Sequence, residues 1–99
     1  MAEKIVSNFE DIFSGYPKGI YGLIKQALNK YAGTKRGKAR MDMFLAGKSF
    51  QVEEGYVHGE SGYFEIVSRQ FIADEFVPLA VMFIEIEFKQ AKIKISAGG

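Results

Sequence analysis

The sequence predicts an α+β fold: an N-terminal antiparallel helix pair packed on one face of a four- to five-stranded, mostly antiparallel sheet. Three observations carry that prediction. Apolar residues recur with helical spacing only in the first third of the chain. They alternate with polar residues, strand-fashion, from about residue 39 onward. The last strand-forming stretch, Pro78 to Ser96, also contains its own pairing partners.

In the first helix, predicted over Ala2 to Phe13, Ile5, Val6, Phe9, Ile12 and Phe13 form one stripe. Ser14-Gly15 stops it. A second helix carries Ile20, Leu23, Ile24, Ala27, Leu28 and Tyr31 on one face, with Lys18, Lys25, Gln26, Asn29 and Lys30 away from it, and Gly33 as its C-terminal cap. Its start is open between two readings. Pro17 suits a first helical turn, whereas Gly19 and Gly22 are costly inside a helix and favour a start near Ile20 or Tyr21.

Thr34 to Arg40 reads as a basic linker and Ala39 to Ala46 as a strand. Gly47-Lys48 then makes a two-residue hairpin that sets Leu45 against Phe50 and Met43 against Val52. Gly59 to Gly62 loops between strands Tyr56–His58 and Tyr63–Ser68, with Gly55 as a bulge that resets the parity between Val52 and Val57. From Arg69 to Val77 the pattern loosens into a turn of helix or an irregular crossover that Pro78 ends.

In the last stretch Ile84, Ile86 and Phe88 alternate with Glu85, Glu87 and Lys89, and then the phase slips so that Ala91, Ile93 and Ile95 become the apolar set. One long bulged strand accounts for the slip. So does a hairpin at Lys89-Gln90, held in a four-residue loop from Phe88 to Ala91. Only the hairpin explains why Ile86 then faces Ile93, Ile84 faces Ile95, Glu87 faces Lys92 and Glu85 faces Lys94.

Ninety-nine residues form one domain, 1–99, large enough to bury a core without staples. The chain has no Cys, which removes disulfides, thiolate metal sites and Cys nucleophiles. No apolar run reaches the roughly 18 residues of a membrane-spanning helix, and Glu3, Glu10 and Asp11 argue against a signal peptide, so a cytoplasmic protein with no membrane partner is expected. The net charge of +1 hides an uneven distribution. From Lys18 to Lys48 there are eight Lys/Arg and one acid, Asp42; from Ser49 to Glu87 there are eight Asp/Glu and one base, Arg69. A two-poled surface favours head-to-tail self-association, or a basic face for an anionic partner.

Motifs for chemistry fail on spacing or context. Gly33 to Ala39 and Gly47-Lys48-Ser49 imitate parts of a phosphate loop, but neither lies between a strand and a helix. His58, the single His, has no nucleophile–carboxylate set around it in the sequence, and the carboxylate pairs read as solvated faces. No catalytic residue, cofactor or metal is predicted, and the chain is read as a non-enzyme. The ending Ile95-Ser-Ala-Gly-Gly resembles the tail of sulfur-carrier and ubiquitin-like proteins, but that fold places a helix between two hairpins, and here both helices come first.

The expected function is therefore a non-enzymatic interaction or assembly module that forms homo-oligomers through its sheet. Phe44, Leu79, Val81 and Phe83 are its candidate self-association residues, because each has the parity opposite to its strand's main apolar set and a second apolar face on so small a chain needs a cover. Two alternatives stand beside it. One is a nucleic-acid-associated protein, or a binder of an acidic protein surface, using Lys30, Lys35, Arg36, Lys38 and Arg40. The other is a binder of a small hydrophobic ligand between helices and sheet.

Overall fold

A computed structural model of the chain describes residues 5–6, 8–17, 19–90 and 92–98. The α+β class holds, with two α-helices followed by an antiparallel sheet of four long strands. Helix α1 spans Ile20–Ala32 and α2 spans Lys35–Leu45. Preceding them are a two-residue strand, β1 (Ile5–Val6), and a 3-10 turn over Phe9–Phe13. The long strands are β2 (Ser49–His58), β3 (Ser61–Ile72), β4 (Glu75–Glu87) and β5 (Lys92–Gly98), arranged as a meander with β1 on the β2 edge.

The predicted first helix is not there. Phe9, Ile12 and Phe13 of its apolar stripe are buried by a shorter device: Asn8 caps the 3-10 turn by accepting from the Glu10 backbone N–H, and one turn brings the three inward together. The Ala2–Lys4 part of that prediction, together with Ser7, lies outside the described residues, as do Lys18 and the Ala91 and Gly99 positions. The second helix is as expected and takes the later start. Gly19 precedes it with φ +96°, which a side chain adopts only under strain. Ile20, Ile24 and Leu28 make the buried stripe, and the Gly33 N–H closes the helix on the Asn29 and Lys30 carbonyls.

The linker and strand expected over Thr34–Ala46 are instead α2. Thr34 is the N-cap: its hydroxyl accepts from the Gly37 N–H at 3.0 Å and donates to the Tyr31 carbonyl at 2.8 Å. Gly37, Met41 and Phe44, at helical spacing, are the buried positions. The alternation of Met41, Met43 and Leu45 imitates a strand, yet Met43 and Leu45 are exposed. Lys, Arg, Ala, Met and Leu are all good helix formers, and no β-branched residue interrupts them. The Gly47-Lys48 hairpin accordingly does not exist. Phe50 pairs with Ser68 and Val6, and Val52 pairs with Ile66.

The C-terminal hairpin is present in the register read from the sequence: Ile84 with Ile95, Glu85 with Lys94, Ile86 with Ile93 and Glu87 with Lys92. The β2–β3 parity reset is a bulge between Val52 and Glu54, two residues before the Gly55 expected. The Arg69–Val77 segment is a third hairpin. It turns at Ala73-Asp74, both at positive φ (52° and 66°) as a primed turn requires. Pro78 does not end the segment but sits inside β4, beside a register shift at Ser68/Arg69, where a strand tolerates its missing N–H.

The core cluster joins residues of the 3-10 turn, α1, α2 and the sheet. Phe9 lies at its centre, edge-on to Phe13, Phe44 and Phe50 with ring centroids 5.5, 5.5 and 5.7 Å away. Below this layer the Ser68 hydroxyl, fully buried, donates to the Phe44 carbonyl. That contact requires Gly47, since a Cβ there would stand 1.9 Å from Ser68 Oγ. Gly37 is required more strictly, because a Cβ would stand 1.9 Å from the Tyr31 backbone oxygen.

Two thermal or denaturant measurements check this reading. Gly37→Ala forces backbone to move and lowers stability by about 1–3 kcal/mol. Gly47→Ala and Ser68→Ala each destabilise, the latter by about 1 kcal/mol. Together they cost less than their sum, with a coupling on the order of 1 kcal/mol, because losing Oγ removes most of the overlap. Additive effects would mean the two residues do not share that space.

Candidate self-association surface

Strand lengths in this sheet do not match, and the mismatch creates the surface. β2 begins at Ser49, opposite Arg69, and the described part of β5 ends at Gly98, opposite Val81. The β3–β4 hairpin continues past both. From Gln70 to Val77 it is a two-stranded ribbon with no neighbour on either side among the described residues. Phe71 and Phe76 are paired across it with ring centroids 5.0 Å apart, and each remains 53% exposed. Ile72 beside them is 51% exposed. Three of the chain's largest exposed apolar side chains thus share one arm. Asp74 and Glu75 at its turn are exposed as well.

The arm continues an apolar strip on the sheet. Val67 pairs with Val81 and Glu65 with Phe83, and both rows alternate with the core residues Ile66, Met82 and Ile84. Phe71 has the parity of Val67 and Arg69 in β3, so the strip runs from Phe83 through Val81, Val67 and the half-buried Leu79 to the Phe71–Phe76 pair. Arg69 borders the strip and pins β3 to β2, donating to Gln51 Oε1 at 2.7 Å and to Glu53 Oε1 at 2.8 Å. Farther along, burial raises the pKa of the Tyr63 hydroxyl and Glu65 adds to the effect. Tyr63 therefore remains neutral as it faces Glu65 Oε2 at 3.4 Å.

The predicted self-association residues divide on this geometry. Leu79, Val81 and Phe83 do lie together along β4, off the core face and half-buried. Phe44 does not join them: it is in α2, not on a strand, and is fully buried against Phe9 and Phe50. Phe71, Ile72 and Phe76 were not among the predicted residues. Their signal was a single apolar pair about Ala73-Asp74, Phe71 opposite Phe76, which the absence of Gly or Asn from the turn concealed.

The predicted anionic-partner residues also divide. Lys35, Arg36 and Lys38 are exposed on the first turns of α2, and Lys30 is exposed near the end of α1. Lys38 is paired with Asp42, four residues on, at 3.1 Å, a surface pair worth little. Arg40 is tied down, its Nη1 donating to the Ala97 carbonyl at 2.8 Å and so holding the end of β5 against α2. Beside that bond is a groove of about 360 Å³. Its walls are mainly apolar, formed by Ala39, Met43, Ala80 and Ala97, and Arg36 and Arg40 line it too. His58 is exposed at the end of β2, its ring 5.9 Å from Tyr56.

No family model, curated protein or solved structure matches this chain. The surface chemistry therefore stands without a relative to interpret it.

A thermal melt separates the structural arginine from the surface ones. Arg40→Ala unties β5 and destabilises by about 1–2 kcal/mol, as loss of a charge-assisted hydrogen bond should. Lys35→Ala and Arg36→Ala stay within about 0.5 kcal/mol of the parent, as surface changes do. Equal effects at all three positions would contradict the Arg40 anchor.

Proposed function

We propose that the chain is a non-enzymatic assembly module that self-associates through its sheet. The Phe71–Phe76 pair carries this reading: two aromatic rings tilted against each other and half exposed, on a ribbon with nothing beside it among the described residues. Burying the half of each that is still exposed would remove apolar surface worth about 1 kcal/mol per side chain, a force for association that no contact within the described chain uses. In this reading the helices and the 3-10 turn cover one sheet face, and the strip of Val81, Phe83, Leu79 and the arm forms the other, partner-facing side. The uneven charge supports the same conclusion, since a basic helical half and an acidic sheet half attract one another between copies.

Size-exclusion chromatography with light scattering tests the proposal. The parent chain runs above the mass of one chain, and Phe71→Ser with Phe76→Ser brings it down to that mass while the chain keeps a cooperative melting transition, because neither residue belongs to the core. A parent that remains one chain at every concentration refutes self-association. The sequence has no Trp and five Tyr, so nucleic acid co-purifying with the chain would dominate its ultraviolet absorbance. If that absorbance falls away in high salt, the exposed Lys35, Arg36 and Lys38 become the functional surface instead.

A further inference from the structure

We infer that the β3–β4 arm of one copy seats in the α2–sheet groove of a second copy. This inference rests on the self-association proposed above and names the receiving site. Three observations converge on it. The first is shape: the arm presents Phe71, Ile72 and Phe76 as a projection, and the groove beside Met43 and Ala80 is a recess of about 360 Å³. The second is chemistry, since both surfaces are apolar at their centre: exposed aromatic and aliphatic side chains on one, Ala39, Met43, Ala80 and Ala97 on the other. Met43, 51% exposed, is the kind of flexible side chain that moulds to an incoming ring.

The third is charge. The arm carries Asp74 and Glu75 at its turn, and neither makes an ion pair among the described residues. The groove carries Arg36 and Arg40, of which Arg36 is exposed and likewise without an ion pair. An acidic tip entering a basic recess satisfies both sets of charges and fixes the direction of entry. An arm meeting another arm would instead bring four carboxylates together. A nucleic acid would be drawn to the arginines but repelled by the arm.

Placement adds a constraint on symmetry. The groove includes Ala80, Ala97 and Gly98, and along β4 the arm, which ends at Val77, is separated from Ala80 only by Pro78 and Leu79. Arm and groove therefore occupy the same end of the sheet. Two copies that exchange arms can do so reciprocally, each giving one and receiving one, which closes a two-fold dimer and leaves no groove open for further growth.

Complementary charge reversal tests this. One variant combines Asp74→Asn with Glu75→Lys, which keeps at the left-handed turn position a residue that tolerates it. The other is Arg36→Glu, an acid near a helix N-terminus, where the dipole favours it. Each variant alone is expected to lose the dimer and run at the mass of one chain: in the first a basic arm meets a basic groove, and in the second the acidic arm meets an acid in place of Arg36, the groove cation not already bonded to the Ala97 carbonyl. Mixed in equal amounts, the two are expected to regain the dimer, since each reversed arm meets a reversed groove and each native arm a native groove. Ala39→Trp, which fills the recess without touching charge, is expected to abolish the dimer in both the parent and the mixture. A single cooperative melting transition in each variant, at a temperature independent of its concentration for those that run as one chain, establishes that they are folded. If Phe71→Ser with Phe76→Ser dissociates the parent while Arg36→Glu and Ala39→Trp do not, the arm binds elsewhere; this inference then falls and self-association stands. If the parent never associates, both fall.

Discussion

Phe44 holds the molecule together from both of its ends. Its ring fills the centre of the aromatic cluster with Phe9 and Phe50, and its carbonyl accepts the buried Ser68 hydroxyl. One residue thereby fixes the end of α2, the start of β2 and the middle of β3. A buried hydroxyl without a partner is costly, and a buried carbonyl equally so, so the two groups hold each other in place. Gly47 follows as a necessity, because the chain leaving α2 passes so close to Ser68 that no side chain fits. Most of the fold's precision is concentrated in this contact, where a helix end, a strand and a turn meet.

The same contact marks where the core ends. Ser68 is the last fully buried residue of β3, and the register shifts immediately after it. At this point the described part of β5 has already ended and β2 ends one residue on, at Ser49 opposite Arg69. The hairpin therefore leaves the hydrophobic layer while still carrying large apolar side chains. The arm is thus a consequence of strand length: β3 and β4 are longer than their neighbours by about the length of the ribbon. Its stiffness comes from the primed turn and the cross-strand phenylalanines, and its exposure from the lack of anything to cover it.

How far the sequence could be read depended on whether the physical signal was local. The C-terminal hairpin was legible because four cross-strand pairs, two apolar and two of opposite charge, agreed on one register. Helix α1 was legible from an unbroken 3.6-residue stripe bounded by glycines. Helix α2 was not, since its exposed Met43 and Leu45 completed a false two-residue alternation with Met41 and outweighed the Thr34 cap. Phe9, Ile12 and Phe13 of the N-terminal stripe were read correctly as buried but given the wrong geometry, because a short 3-10 turn and an amphipathic helix ask these residues to face inward. That Leu79, Val81 and Phe83 lie off the core face of β4 was legible from parity. The arm was missed because Ala73-Asp74 adopts a turn that Gly and Asn usually signal, and Phe44 was misplaced along with the false strand. The groove combines α2 with β4 and β5, and no local pattern reports such a meeting of distant segments.

Pro78 has a consequence beyond its place in the ladder. A long apolar ribbon with a bare edge is the usual template for strands to stack without limit, the route by which soluble chains turn into fibres. In this chain a proline and a bulge interrupt that edge at the base of the ribbon. An approaching strand cannot zip along it from the sheet to the turn. The apolar side chains of the ribbon stay exposed, while the β4 side of its backbone is a poor seed for fibre growth.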